Sequence, residues 1–69
     1  MNDELRALLS RPTASVPDAG RVCFQLSPNR SYEAAKRGDL PVIEINGRMR
    51  VVTRKLLPML GIEPAEVAG

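Results

Sequence analysis

Asn29, Arg30 and Glu33 stand within one turn of each other directly after the pair Ser27-Pro28, and Lys36 and Arg37 follow one turn later. Side chains of these types read hydrogen-bonding edges. A carboxamide donates and accepts in one plane, a guanidinium offers a forked donor, and a carboxylate accepts from an amino group. Arg48 and Arg50 add two more forked donors on either side of Met49, immediately after the dipeptide Asn46-Gly47. Nucleophilic and metal chemistry find no such support. With no histidine and a single cysteine, Cys23, the chain builds neither a Ser-His-Asp nor a Cys-His site, no Cys/His zinc site and no internal disulfide. No catalytic residue, metal or cofactor is expected, and Cys23 reads as a small buried apolar residue.

The formal charge is only +2, but it is unevenly placed. Residues 21–55 carry eight lysines and arginines against Glu33, Asp39 and Glu44, while the two flanks carry two arginines against five carboxylates. A basic middle concentrates positive potential, and the common intracellular polyanion that meets it is nucleic acid. At 69 residues, 43 % hydrophobic and 26 % charged, the chain is expected to form one folded domain over 1–69. Its apolar runs fall far short of the ~20 residues of a bilayer span. The start Met1-Asn2-Asp3-Glu4 lacks the basic-then-apolar profile of a leader, so no membrane association and a cytoplasmic location are expected.

The elements that must position these side chains follow from caps and periodicity. Asn2 before two acids, with Leu5, Leu8 and Leu9 at helical spacing, predicts a helix over 3–10 that Pro12 ends. Ser15 with Pro17 and Asp18 opens a second helix, 16–24, buried along Ala19, Val22 and Cys23. Ser27-Pro28 opens a third, 28–37, stopped by Gly38. Beyond it the period becomes two. Ile43, Ile45, Met49 and Val51 alternate with Glu44, Arg48 and Arg50 around Asn46-Gly47, which predicts a β-hairpin over 42–51 with one greasy face and the arginines opposite it. Thr53 is placed to cap a last helix, 54–60, carrying Leu56, Leu57 and Leu60 and interrupted by Pro58; residues 62–69 are expected to fray.

On the 28–37 helix, at roughly 100° per residue, Asn29, Arg30, Glu33, Lys36 and Arg37 fall in a sector about 120° wide, with Ser31, Tyr32 and Ala35 on the other side. Two capped helices joined by a tight connection are the parts of a helix-turn-helix, whose second helix enters the major groove of DNA. Asn29, Arg30 and Glu33 would then face base edges. The first-turn N–H groups behind the Ser27 cap, with Lys36 and Arg37, would meet phosphates. Arg48 and Arg50 would reach the backbone or the minor groove as a wing, and Tyr32 is expected to be a core ring with its hydroxyl at the surface.

The Ser27-capped helix with Tyr32, the run Arg37-Gly38-Asp39-Leu40-Pro41, the alternation Val42 to Ile45, the turn Asn46-Gly47-Arg48, the strand Met49-Arg50-Val51, and Leu56 make residues 27–60 resemble the winged helix-turn-helix of the excisionase and MerR-type superfamily. Ser15-Val16-Pro17-Asp18-Ala19 is similar to that family's first helix. The chain departs from the pattern in its glycine-free connection at Phe24-Gln25 and in Pro58. The resemblance implies an α+β fold, a small winged helix-turn-helix of helices plus a two-stranded β-hairpin wing. It also implies a recombination directionality factor that binds and bends double-stranded DNA so that an integrase excises a prophage or mobile element. Such a chain is expected to be monomeric in solution and to assemble side by side on DNA. A transcriptional regulator of the same fold, and an antitoxin-like interaction module docking through Leu5, Leu8 and Leu9, are the competing readings.

Overall fold

The computed structural model describes residues 2–68; Met1 and Gly69, at the two ends of the expected domain, lie outside the described residues. Three side-chain caps start the first three helices. Asn2 accepts the Leu5 N–H at 2.7 Å and opens α1 (Asp3–Leu9), and Ser15 accepts the Asp18 N–H at 3.3 Å and opens α2 (Val16–Phe24). Ser27 accepts the Arg30 N–H at 3.3 Å and opens α3 (Pro28–Arg37). Each cap satisfies a backbone donor that the first helical turn leaves without a partner. α3 ends at Gly38, whose φ of 83° lets the Asp39 N–H turn back to the Ala34 carbonyl at 2.8 Å.

The connection from α2 to α3 closes without glycine. Gln25 itself takes the left-handed conformation, φ 57° and ψ 38°. Its N–H reaches the Arg21 carbonyl at 3.1 Å and the Leu26 N–H reaches the Gly20 carbonyl at 3.0 Å. The two helices then meet through small residues. A Cβ on Gly20 would lie 1.8 Å from Ser31 Oγ and 2.6 Å from Ser31 Cβ, so only glycine permits this approach. Ser31 is fully buried, and its hydroxyl donates to the Ser27 carbonyl at 2.9 Å, which removes the cost of burying it.

After α3 the chain forms β2 (Val42–Ile45) and β3 (Arg48–Val52), joined by Asn46 at φ 52° and Gly47 at φ 74°, the left-handed pair that a two-residue hairpin turn requires. The wing has a third strand that the sequence did not signal. β1 (Thr13–Ser15) pairs antiparallel with β3, and the sheet order is β1-β3-β2. Three residues with one apolar position carry no period of their own; β1 exists because β3 offers it a partner edge. The sheet's inner face brings Ala14 and Val51, both fully buried, onto one core with Leu8, Leu9, Val16, Ala19, Ala35, Leu40, Leu56 and Leu57. Leu8 and Leu9 are thus spent inside this chain, which leaves the expected docking stripe on α1 covered.

α4 (Thr53–Leu60) begins one residue earlier than expected and runs through Pro58 to Gly61. Thr53 does not cap it. The cap position falls to Val52, which offers no side-chain bond, while the buried Thr53 hydroxyl turns inward to the carbonyls of Arg11 and, at 3.0 Å, Pro12. It ties the segment before β1 to the start of α4. The tail also corrects its expectation: Pro64–Ala68 form α5, and Ile62 and Val67 pack against the core. Cys23 is half-buried, and burial pushes its thiol up from the ordinary range, in keeping with a packing role.

Candidate nucleic-acid interface

All five polar residues singled out on α3, Asn29, Arg30, Glu33, Lys36 and Arg37, are exposed, while Ser31 and Ala35 face the core. Tyr32 departs from expectation. It is 43 % exposed, on the margin of the helix rather than inside it. The reason lies in the close contact of α2 and α3: the Gly20–Ser31 approach rotates α3 so that Ser31 and not Tyr32 points into the centre.

Around α3 the structure sorts the predicted residues into two groups. On one side Tyr32 lines a cleft of about 480 Å³ with Ser15, Val16 and the hairpin residues Gly47, Arg48, Met49 and Arg50. On the other side Arg30, Glu33, Ala34 and Arg37 line a groove of about 320 Å³ with Phe24, Leu26, Asp39, Leu40 and Met59. Asn29 and Lys36 lie on the crest between, at angles intermediate between Tyr32 and Arg37 on the helical wheel. Helix and wing thus share one border, along Tyr32, while Arg30 and Arg37 sit on the far flank.

Electrostatics differ between the two sides. Arg37 Nε lies 3.8 Å from an Asp39 carboxylate oxygen, both groups well exposed, a contact too loose and too wet to fix either side chain. Arg50, by contrast, is half-buried, and its Nε–H donates to Thr13 Oγ1 at 3.3 Å, so β1 orients a wing guanidinium. Arg48 is exposed at the start of β3.

The N-terminus of α3 is a thinner anion site than its cap suggests. Pro28 has no N–H, the Arg30 N–H is taken by Ser27 Oγ, and the Ser31 N–H is taken by the Ser27 carbonyl at 2.9 Å. Among the described residues, that leaves the Asn29 N–H as the first-turn donor open to a ligand. Ser27 therefore positions the helix rather than freeing several donors for a phosphate.

The hairpin corrects one further expectation. Strand pairing sets Ile43 opposite Arg50 and Ile45 opposite Arg48, while Glu44 opposes Met49 and Val42 opposes Val51. Directly opposed residues share a face. The two arginines are thus on the same side as Ile43 and Ile45, and only Met49 and Val51 belong to the side expected to be greasy. A two-residue turn pairs an odd-numbered residue with an even one, so the period-two reading needed one shift at Asn46-Gly47. Tyr32, Ile43 and Ile45 are the exposed residues of this surface that the spacing argument assigned to the interior. Set against protein-family models, curated proteins and solved structures, the chain gives no match.

Proposed function

We propose that the chain binds double-stranded DNA, with α3 in a major groove and the β2–β3 wing on the neighbouring backbone and minor groove. In this reading it is a sequence-specific architectural factor that assists an integrase or related recombinase in excising a prophage or mobile element. One observation carries the reading: the exposed polar crest of α3 and the two wing arginines border a common cleft at Tyr32. A helix fits the major groove, ~12 Å wide, and the chain's longest extent of 33 Å matches one turn of duplex, ~34 Å, so one copy spans a helix site and an adjoining wing site.

The roles follow from the chemistry of each group. Asn29, Arg30 and Glu33 reach base edges, where Asn suits adenine, Arg suits guanine and Glu suits the cytosine amino group. Lys36, Arg37 and the Asn29 N–H meet phosphates, which fix register without reading sequence. Arg48 and Arg50 supply the wing contact. No catalytic role is assigned to any residue, and the chain acts as a monomer that gains affinity from neighbours on DNA.

Fluorescence anisotropy on a duplex from the DNA flanking the chain's own gene, beside a shuffled duplex, tests this between 50 and 200 mM salt. Binding to both should weaken on a log–log plot with a slope of about −4 to −6, near −0.9 for each phosphate neutralised. A flat response would overturn the reading. Adding the neighbouring recombinase to an excision assay then separates the outputs: stimulated excision supports the architectural role, while promoter occupancy without stimulation marks a transcriptional regulator.

A further inference from the structure

The outer face of the sheet has a composition that neither packing nor solubility explains. It carries Ile43 and Ile45 on β2, Arg48 and Arg50 on β3, and Thr13 and Ser15 on β1, as the pairings Ile45 with Arg48, Ile43 with Arg50 and Ser15 with Arg50 require. Ile45 is 51 % exposed and Ile43 40 %, while Val51 and Ala14, on the inner face, are fully buried. Ile45 is also the last residue before the Asn46-Gly47 turn, at the end of the hairpin. No carboxylate belongs to this face among the described residues, since Glu44 pairs with Met49 on the other side.

An apolar tip flanked by two guanidinium groups selects among partners. A second copy laid on this face would bring the same arginines against its own. A polyanion with an apolar interior suits both components, and duplex DNA is one: phosphates line its minor groove, and apolar base faces lie stacked behind the groove floor. We infer that Ile45, backed by Ile43 and held by Arg48 and Arg50, is a wedge for the minor groove that enters between two base pairs, unstacks them and kinks the duplex. The inference rests on the DNA-binding reading above and adds to it the means of bending.

Geometry supports the fit. Paired strands stand ~5 Å apart and the minor groove is ~6 Å wide, so the groove must open to admit the hairpin tip. Insertion of an apolar side chain between base steps produces that opening and bends the duplex by ~20–90° toward the major groove. Arg50, oriented by Thr13, and Arg48, opposite Ile45, are placed to hold the groove's phosphates while the step opens.

End-labelled duplexes carrying a 2-aminopurine at the candidate step measure bending by energy transfer and unstacking by fluorescence, with affinity followed by anisotropy on the same samples. Wild-type chain should bend the duplex and brighten the 2-aminopurine. Ile45→Ala should bind within a few-fold of wild type yet lose at least half of the bend and most of the brightening, since an exposed truncation changes affinity little. Arg48→Ala should weaken binding about tenfold while its saturated complexes still bend. Ile45→Thr, which keeps the β-branch favoured in strands, should behave as Ile45→Ala, and thermal melts near the wild-type value confirm that both variants fold. Wild-type chain that fails to bind DNA overturns the parent reading and this one with it. Binding without bending, or an Ile45→Ala variant that bends and brightens like wild type, overturns the wedge alone. A wild-type dimer by native mass spectrometry that Ile45→Ala dissolves would give the face to a second copy instead, and also overturns it.

Discussion

The two flanks of α3 are built from similar residues and balanced differently. On the groove side, Arg30 and Arg37 share their surroundings with Glu33 and Asp39, so two cations stand among two carboxylates beside Phe24, Leu26 and Met59. On the wing side, Arg48 and Arg50 border the cleft with Tyr32, Ser15 and Met49, and no carboxylate lines it. A basic middle segment is therefore not a uniformly basic surface. The uncompensated potential lies toward the wing, where it suits attraction to any phosphate backbone. Compensated charges on the other flank attract less at long range and are better suited to discrimination at contact.

The change with the largest expected effect breaks the comparison by moving both flanks at once. Gly20→Ala puts a methyl 2.6 Å from Ser31 Cβ, so α2 and α3 must separate. Overpacking of that kind costs about 3 kcal/mol, which for a chain of this size lowers the melting temperature by roughly 12–20 °C. Thermal denaturation followed by circular dichroism checks it. Ser31→Gly in the same chain should recover part of the loss, because it removes the atoms struck; strict additivity of the two changes would show that the contact is not the cause.

Charge removal sharpens the comparison. Under the proposed function, Arg30→Ala should reduce preference for the specific duplex over a shuffled one by about 2 kcal/mol while leaving the salt slope nearly unchanged. Arg48→Ala should weaken both duplexes alike and make the slope shallower by about one. Arg37→Ala, next to Asp39, should alter the slope less than Arg48→Ala. Anisotropy titrations at several salt concentrations read all three, and equal slope changes for Arg37 and Arg48 would erase the distinction between the flanks.

Much of this surface was legible in the chain because local rules govern it. Ser27-Pro28 and Gly38 bracket α3, and Asn46-Gly47 fixes the hairpin; each acts within a few residues of itself. What escaped reading depends on partners far along the chain. β1 forms against residues 50–52, and Tyr32 is displaced to the surface by a helix contact at Gly20. The face of Ile43 and Ile45 was local after all: a two-residue turn reverses parity between strands, and the alternation had been carried across it unshifted.

Thr53 belongs with the long-range cases, and it offers a change that should leave both flanks alone. Its sequence position, before a run of leucines, reads as a cap, yet its hydroxyl serves carbonyls more than 40 residues earlier. Thr53→Val keeps the shape and removes the donor, leaving Arg11 and Pro12 carbonyls less well satisfied, at a cost of about 1–1.5 kcal/mol. Denaturant melts should show that loss. DNA affinity measured well below the melting temperature should stay at the wild-type value, since α3 and the wing are untouched; a fall in affinity would mean that the α4 junction also positions the interface.

The smallest expected effect concerns the turn that sets the angle of α3. Gln25 holds φ at 57°, a conformation that costs a residue with a Cβ about 1 kcal/mol and costs glycine almost nothing. Gln25→Gly removes that penalty but enlarges the conformational freedom of the unfolded chain, which takes back roughly half of the gain. A net stabilisation of about 0.5 kcal/mol is expected, read as a higher denaturant midpoint with an unchanged m-value. Discrimination between specific and shuffled duplexes should not improve with it, because the added stability comes from the backbone of one turn and places no side chain closer to either flank. Were discrimination to fall instead while stability rose, the left-handed glutamine would be the element that holds α3 at its working angle, and its strain would be part of how the two flanks are kept apart.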